Sequence, residues 1–280
     1  MRAVLVFCEG NHDVEFAKRS LAVVAGARLR TEPIKSLPSP FGPGAASKSV
    51  ISLHYASRAL DTVSLRAAAH SAPPTFEALL ELDGTLFCLI NCHGDGAAAT
   101  AMKLLSDIES QLPFGVDVTD LAAAFLFDAD AQGLGPRTAR FAADHGPLLR
   151  PGVAPAHATW VRGTTVPVGL YVFHDQATQT GTLEDILSPM VGAEWPARWQ
   201  AAGSYVSMHA LPGDPVLRTT AEQLKAQICI TGQFLFPGDP MTQVLGRDGL
   251  PRSHFNGVDS QALVSFLLSA PWPPRSGDPQ

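Results

Sequence analysis

The sequence predicts an α/β fold: a mostly parallel central sheet flanked by helices, with a helical C-terminal extension. Three observations carry this expectation. Short apolar runs at 3–7, 85–90, 125–127 and 168–173 read as strands buried on both faces. The first three lead through turns containing Gly into apolar residues at helical spacing, the repeating unit of such folds. The 280 residues, 46% hydrophobic and 16% charged, suffice for a sizeable core in one large or two small domains.

In chain order, residues 3–7 form a β-rich run closed by Glu9 and Gly10. Asp13, Phe16, Ala17, Leu21 and Val24 then recur at helical spacing until Gly26. Asp13 falls in the first helical turn and faces back towards Glu9; a charge there is also what the helix dipole favours. From 31 to 49 the composition turns to Pro33, Pro38, Pro40, Pro43, Gly42 and Gly44, a long surface loop that suits a lid or a partner-docking segment. Residues 50–71 mix Ala with β-branched residues and leave their structure open, and His54 and His70 there read as surface or core histidines rather than ligands.

The strand at 85–90 runs into Asn91-Cys92-His93-Gly94-Asp95-Gly96, whose glycines permit a tight turn and close approach to a ligand. A helix then follows through Met102, Leu104, Leu105 and Ile108. The strand ending at Phe127 terminates in Asp128-Ala129-Asp130, with Gly133 beyond and Arg137, Arg140 and Phe141 on the next helix. Where the backbone leaves the sheet both carboxylates can approach one site, and all-oxygen ligands point to Mg2+ or Mn2+. The alternative is a turn whose Asp caps the following helix.

Residues 168–173 lead into His174 and Asp175. Thr182 is a natural N-cap, and Glu184 and Asp185 suit a first helical turn, so a purely structural role is adequate for them. Trp195 and Trp199 continue a helical region packed on the sheet, 221–230 form a helix carrying Lys225, and a last short helix covers 262–268. The expected organisation is an α/β core over 1–190 with an insertion near 31–49, a helical extension over 191–270 packed on the core, and a disordered tail over 271–280.

The formal charge of −6 offers no broad basic surface for nucleic acid, so any such contact must be local, metal-bridged or supplied by a partner. Cys8, Cys88, Cys92 and Cys229 are scattered, as reduced thiols of a cytosolic protein are. Cys88, Cys92 and His93 lack a second ligand pair for zinc. The apolar start is too short for a signal segment, and no run approaches the ~18–20 residues of a membrane span. A cytoplasmic protein without membrane association is expected.

Taken together, Glu9 in Cys8-Glu9-Gly10-Asn11-His12-Asp13, the Gly94 turn, and Asp128-Ala129-Asp130 with Gly133 resemble the motifs of the Toprim domain, the metal-binding α/β module of topoisomerases, primases and several nucleases. The similarity is closer to Toprim proteins related to the overcoming-lysogeny-defect nucleases and to a small bacterial Toprim-like family. Thr182-Leu183-Glu184 matches the Ser/Thr-x-Glu motif of the former. The string Gly181-Thr182-Leu183-Glu184-Asp185 and the stretch 225–249, with Pro237-Gly238-Asp239-Pro240-Met241, resemble the latter. The resemblance spans most of the chain outside roughly 31–71 and the tail.

It implies a Toprim-like Rossmannoid core with Glu9, Asp13, Asp128, Asp130, Thr182 and Glu184 as metal ligands, Glu9, Asp128 and Asp130 being catalytic. It also implies a phosphate-proximal turn at His93 and Gly94, although His93 and Asp95 stand where relatives of the second group often carry a basic residue. Lys225 is the candidate for neutralising the transition state, or else an ordinary exposed lysine. The implied activity is metal-dependent hydrolysis of DNA or RNA in bacterial defence, with an ABC-type ATPase as partner. A topoisomerase would need a Tyr nucleophile on a further domain, and only Tyr55, Tyr171 and Tyr205 are present. A haloacid-dehalogenase-like phosphatase would leave Glu9 unexplained. A catalytically silent regulatory module that binds a partner is the alternative outside the enzymes.

Overall fold

In the computed structural model the described residues are 1–44, 49–51, 75–94, 98–111, 117–210, 217–235, 237, 245 and 249–272. They build a seven-stranded sheet from β1 (Arg2–Cys8), β2 (Arg28–Leu29), β3 (Thr75–Leu82), β4 (Thr85–Asn91), β5 (Asp120–Asp128), β6 (Thr159–Arg162) and β7 (Pro167–Phe173), in the order β2-β3-β4-β1-β5-β7-β6. The four central strands β4, β1, β5 and β7 are parallel, as their unbroken apolar runs predict. The outer strands are antiparallel, so both edges are mixed.

Alternate residues of each strand face opposite layers. Leu5, Phe7, Ile90, Phe125, Phe127 and Val172 pack with Leu104, Leu105 and Ile108 of α2 (Ala98–Glu109) and Phe141 of α3 (Leu134–Asp144). Val4, Val6, Leu89, Leu126 and Phe173 pack on the other side with Phe16 and Leu21 of α1 (Asn11–Val24), Leu187 of α4 (Leu183–Glu194), and Leu263 and Leu267 of α7 (Val258–Leu268). Because β4, β1, β5 and β7 run the same way, the residues following Cys8, Asn91, Asp128 and Phe173 emerge along one edge.

Three expectations change. The loop beginning at Thr31 is not a surface lid over its described part: Ile34, Leu37 and Phe41 are buried in the α2-side core and Ser39 bonds Asp117, because the apolar residues between the prolines pack on that face of the sheet. β3 joins β4 in a hairpin whose Asp83 and Gly84 have φ of 47° and 73°, the left-handed pair that tight hairpins need. The helical region at Trp195 is broken there: Pro196 opens α5 (Pro196–His209), and α5 packs on α4 and on α6 (Thr220–Gln233) while Trp195 and Trp199 reach the core. The boundary expected at 190 therefore falls inside α4. Residues 52–71 with His54 and His70, the segment 238–241 and the tail from 273 onward lie outside the described residues. No described helix is long and apolar enough to cross a membrane.

Candidate metal centre

At the end of β1 the chain turns at Gly10, whose N–H donates to Asp13 Oδ2 at 2.7 Å; this folds the first turn of α1 back on itself and buries the Asp13 carboxylate. The turn after β4 clamps the same strand end, since the N–H of Cys92 donates to Cys8 O and that of Gly94 to Glu9 O, both at 2.8 Å. His93 is exposed with a φ of 57°, and its Nε2 lies 3.1 Å from Thr75 Oγ1, the hydroxyl that donates to Glu77. The turn thus positions Glu9 through its backbone.

At the end of β5, Asp128 is buried, its N–H 3.4 Å from Glu9 Oε2 and its Oδ1 accepting from Leu183 N–H at 2.8 Å. Asp130 takes a φ of 53°; its N–H and C=O both pair with Gly181 and its side chain is exposed. Its backbone docks the start of α4, and its carboxylate does not join Asp128 in the buried cluster. Thr182 is the N-cap of α4: its N–H and hydroxyl both donate to Asp185 Oδ2, at 2.7 and 3.3 Å. That hydroxyl serves its own helix and also bonds the Glu184 carboxylate, helping to hold it below its ordinary value.

Glu184 is only 2% exposed. Its Oε1 lies 3.1 Å from His12 Nδ1 and 3.5 Å from Lys225 Nζ, while Oε2 is buried without a hydrogen-bond partner among the described residues. Lys225, half exposed on α6, is therefore drawn to the acids. Sequence reasoning missed two partners of these acids. Arg137, buried on α3, donates from Nη2 to Glu9 Oε2 at 2.9 Å and lies 4.3 Å over the Phe127 ring. His12 sits beside Asp13 on the first turn of α1, and that adjacency was the available signal.

The charges act on one another. Burial above all, then Glu9 and Glu184, push Asp13 up to about 8, against the Gly10 hydrogen bond and Lys225. Burial likewise holds Asp128 well above the usual carboxylate range, with Asp13, Glu184 and Glu9 adding to it. Burial would raise Glu184 too, yet the His12 hydrogen bond and the Lys225 charge bring it below its ordinary value. Burial would lower Lys225, but Glu184, Asp128 and Asp13 hold it above, so it stays protonated.

Glu9, Asp13, Asp128 and Glu184 therefore converge from the end of β1, from α1, from β5 and from α4. No three His, Cys, Asp or Glu side chains among the described residues are grouped closely enough to hold an ion as they stand. The donor set nevertheless suits a hard cation: it is all oxygen, it includes the unpartnered Glu184 Oε2, and a divalent charge would relieve the repulsion between Asp13 and Asp128.

Fold and site together define an α/β protein with an acidic centre on one edge of its parallel strands. No family model matches the sequence, and no curated protein matches it. Among solved structures, the crystal structure of a hypothetical protein from Pyrococcus horikoshii OT3 is similar, with a TM-score of 0.52 at 16% identity over 96% of this chain and 95% of that one. The likeness is one of fold.

Proposed function

We propose that this protein is a Toprim-type nuclease that hydrolyses phosphodiester bonds of DNA or RNA with Mg2+ or Mn2+. The observation that carries the reading is the meeting of Glu9, Asp13, Asp128 and Glu184 with Lys225 at the parallel-strand edge, in the motif order of that family. Asp13, Asp128 and Glu184 would hold the cation, Glu9 completing the set. A bound divalent ion supplies a more acidic water and charge neutralisation at the phosphoryl oxygens. Arg137 fixes the Glu9 carboxylate, and His12 holds one oxygen of Glu184 while the other is buried without a partner among the described residues. Lys225, protonated and half exposed, supports negative charge building on a phosphate.

An acidic chain without a basic platform needs help in holding nucleic acid; the resemblance to the overcoming-lysogeny-defect nucleases makes a separate ABC-type ATPase the proposed partner, in the cytoplasm. The segment from 31 onward is not proposed as the docking surface, since Ile34, Leu37 and Phe41 anchor it in the core. A second reading, a silent partner-binding module, is favoured by the pairing of Glu9 with Arg137 and of Glu184 with His12 and Lys225, which balances two of the acids without any metal. Incubating the protein with circular DNA and with structured RNA, with Mg2+, with Mn2+ and with chelator, tests both. Metal-dependent nicking or cleavage supports the nuclease, whereas metal binding by calorimetry without turnover of either substrate supports the silent module.

A further inference from the structure

A cavity of about 350 Å³ opens beside the acid cluster, at the β7 side of the sheet, lined among others by His157, Tyr171, His174, Ile186 and Asp259. Strand lengths create it. β6 begins at Thr159, opposite Leu170, so the edge of β7 beyond Leu170 has no strand partner. Two imidazoles take the place of one: the Val172 N–H donates to His157 Nδ1 at 3.1 Å, and the Val172 carbonyl lies 2.8 Å from His174 Nδ1.

These contacts determine the ring tautomers. A backbone N–H only donates, so His157 Nδ1 accepts and the neutral ring carries its proton on Nε2. A carbonyl only accepts, so His174 Nδ1 carries a proton and, in the neutral ring, Nε2 is an acceptor. One residue of β7 thus sets complementary tautomers on two rings 4.7 Å apart and at 89° to each other. Burial, with the His174 charge, brings His157 down to about 4, so it is uncharged at neutral pH. Asp259, in the first turn of α7, adds a carboxylate that burial holds above its ordinary value. Tyr171, Phe173 and Ile186 supply apolar faces, and no Lys or Arg is among the lining residues.

A lining with one carboxylate and, among the described residues, no Lys or Arg disfavours a phosphate or carboxylate ligand. It suits a flat, neutral heterocycle that offers N–H donors to the acid and an acceptor to His157 Nε2–H. We propose that this cavity binds a nucleobase, with guanine the best complement of the four common bases. Guanine alone presents two adjacent N–H donors to one carboxylate and, on the same molecule, a carbonyl oxygen and ring nitrogen as acceptors. The proposal goes beyond the hydrolytic reading and requires neither metal nor turnover. Helix α4 joins the two places, since Leu183 N–H holds Asp128 while Ile186 lines the cavity.

The test is a nitrogen-detected NMR titration of the histidine rings in the full, metal-free chain with guanosine, adenosine, cytidine and uridine. Guanosine is expected to shift the His157 and His174 signals saturably, with the other nucleosides about tenfold weaker and Asp259→Asn costing about tenfold in guanosine affinity. A short oligodeoxyguanosine strand then distinguishes the sources: tighter binding than guanosine assigns the site to a base within a strand, equal or weaker binding to a free nucleoside. No saturable shift with any nucleoside at millimolar concentration, or guanosine affinity unchanged by Asp259→Asn, overturns the proposal. Because the readout is metal-free binding, its failure is separate from failure to cleave nucleic acid.

Discussion

The Asp128 carboxylate accepts a 2.8 Å hydrogen bond from the backbone N–H of Leu183, so the end of β5 and the first residue of α4 are held by the oxygen of a candidate metal ligand. Asp128→Asn keeps an acceptor for that N–H and removes an ionisable carboxyl from a buried acidic cluster. Cleavage is expected to vanish, while the metal-free melting temperature stays level or rises by a few degrees. Wild-type cleavage by this variant would reduce Asp128 to a helix-docking residue.

The stability of the metal-free protein should depend on pH with a definite sign. Asp13 is raised from 3.8 to about 8, so the folded state binds its proton more tightly; the associated stability is full below the unfolded value and is lost as pH rises to about 8. His145 and His157, lowered from 6.5 to about 4, lose stability as pH falls below 6.5 and so oppose this trend only there. Between 6.5 and 8, unfolding free energy should fall by about 1 kcal/mol per pH unit. Mg2+ should stabilise more at the upper end of that range than at the lower, and a flat denaturation profile without metal would contradict the coupling.

Glu184→Gln separates one bound ion from two. The remaining carboxylates could hold a first ion, so metal affinity should drop only modestly while cleavage falls by about a hundredfold. Calorimetry with one ion in the wild type, together with normal cleavage by the variant, would leave Glu184 as a partner of His12 and Lys225 alone.

Arg137 and Glu9 should be energetically coupled. Arg137→Gln removes both the 2.9 Å ion pair and the stacking on Phe127, and about 2 kcal/mol of stability is expected to go with them. In a double-mutant cycle with Glu9→Gln by urea unfolding, a coupling of about 1 kcal/mol or more is expected, and additivity would show the pair to be incidental.

The segment around Phe41 behaves as core in the structure, so Phe41→Ala should cost about 3–5 kcal/mol in chemical denaturation. A mobile lid would lose almost nothing.

The parallel strands were legible because each is an apolar run cut off by glycine or an acid, and Glu9 and Asp128 were legible because they stand at those cuts. Other parts depend on distance along the chain. Arg137 meets Glu9 across 128 residues and His12 meets Glu184 across 172, and neither partner leaves a local pattern. β2 is two exposed residues and β6 four, too short to register against the surrounding loops. β3 was readable from Asp83-Gly84, but Glu77 and Glu81 interrupt its apolar pattern. Asp130 misled because a residue in the left-handed region turns the chain before its carboxylate can follow that of Asp128.

Lys225 comes from α6, which packs on α4 and α5 and joins the core through Ile228, whereas Glu9, Asp13 and Asp128 are carried by the strand ends and the first turn of α1. Lys225 and Glu184 in this centre thus come from the C-terminal helices, and the other three acids from the strand ends and α1. Lineages that rebuilt the appended helices could reset the net charge of the centre, or silence it, while the strand ends beneath remained unaltered.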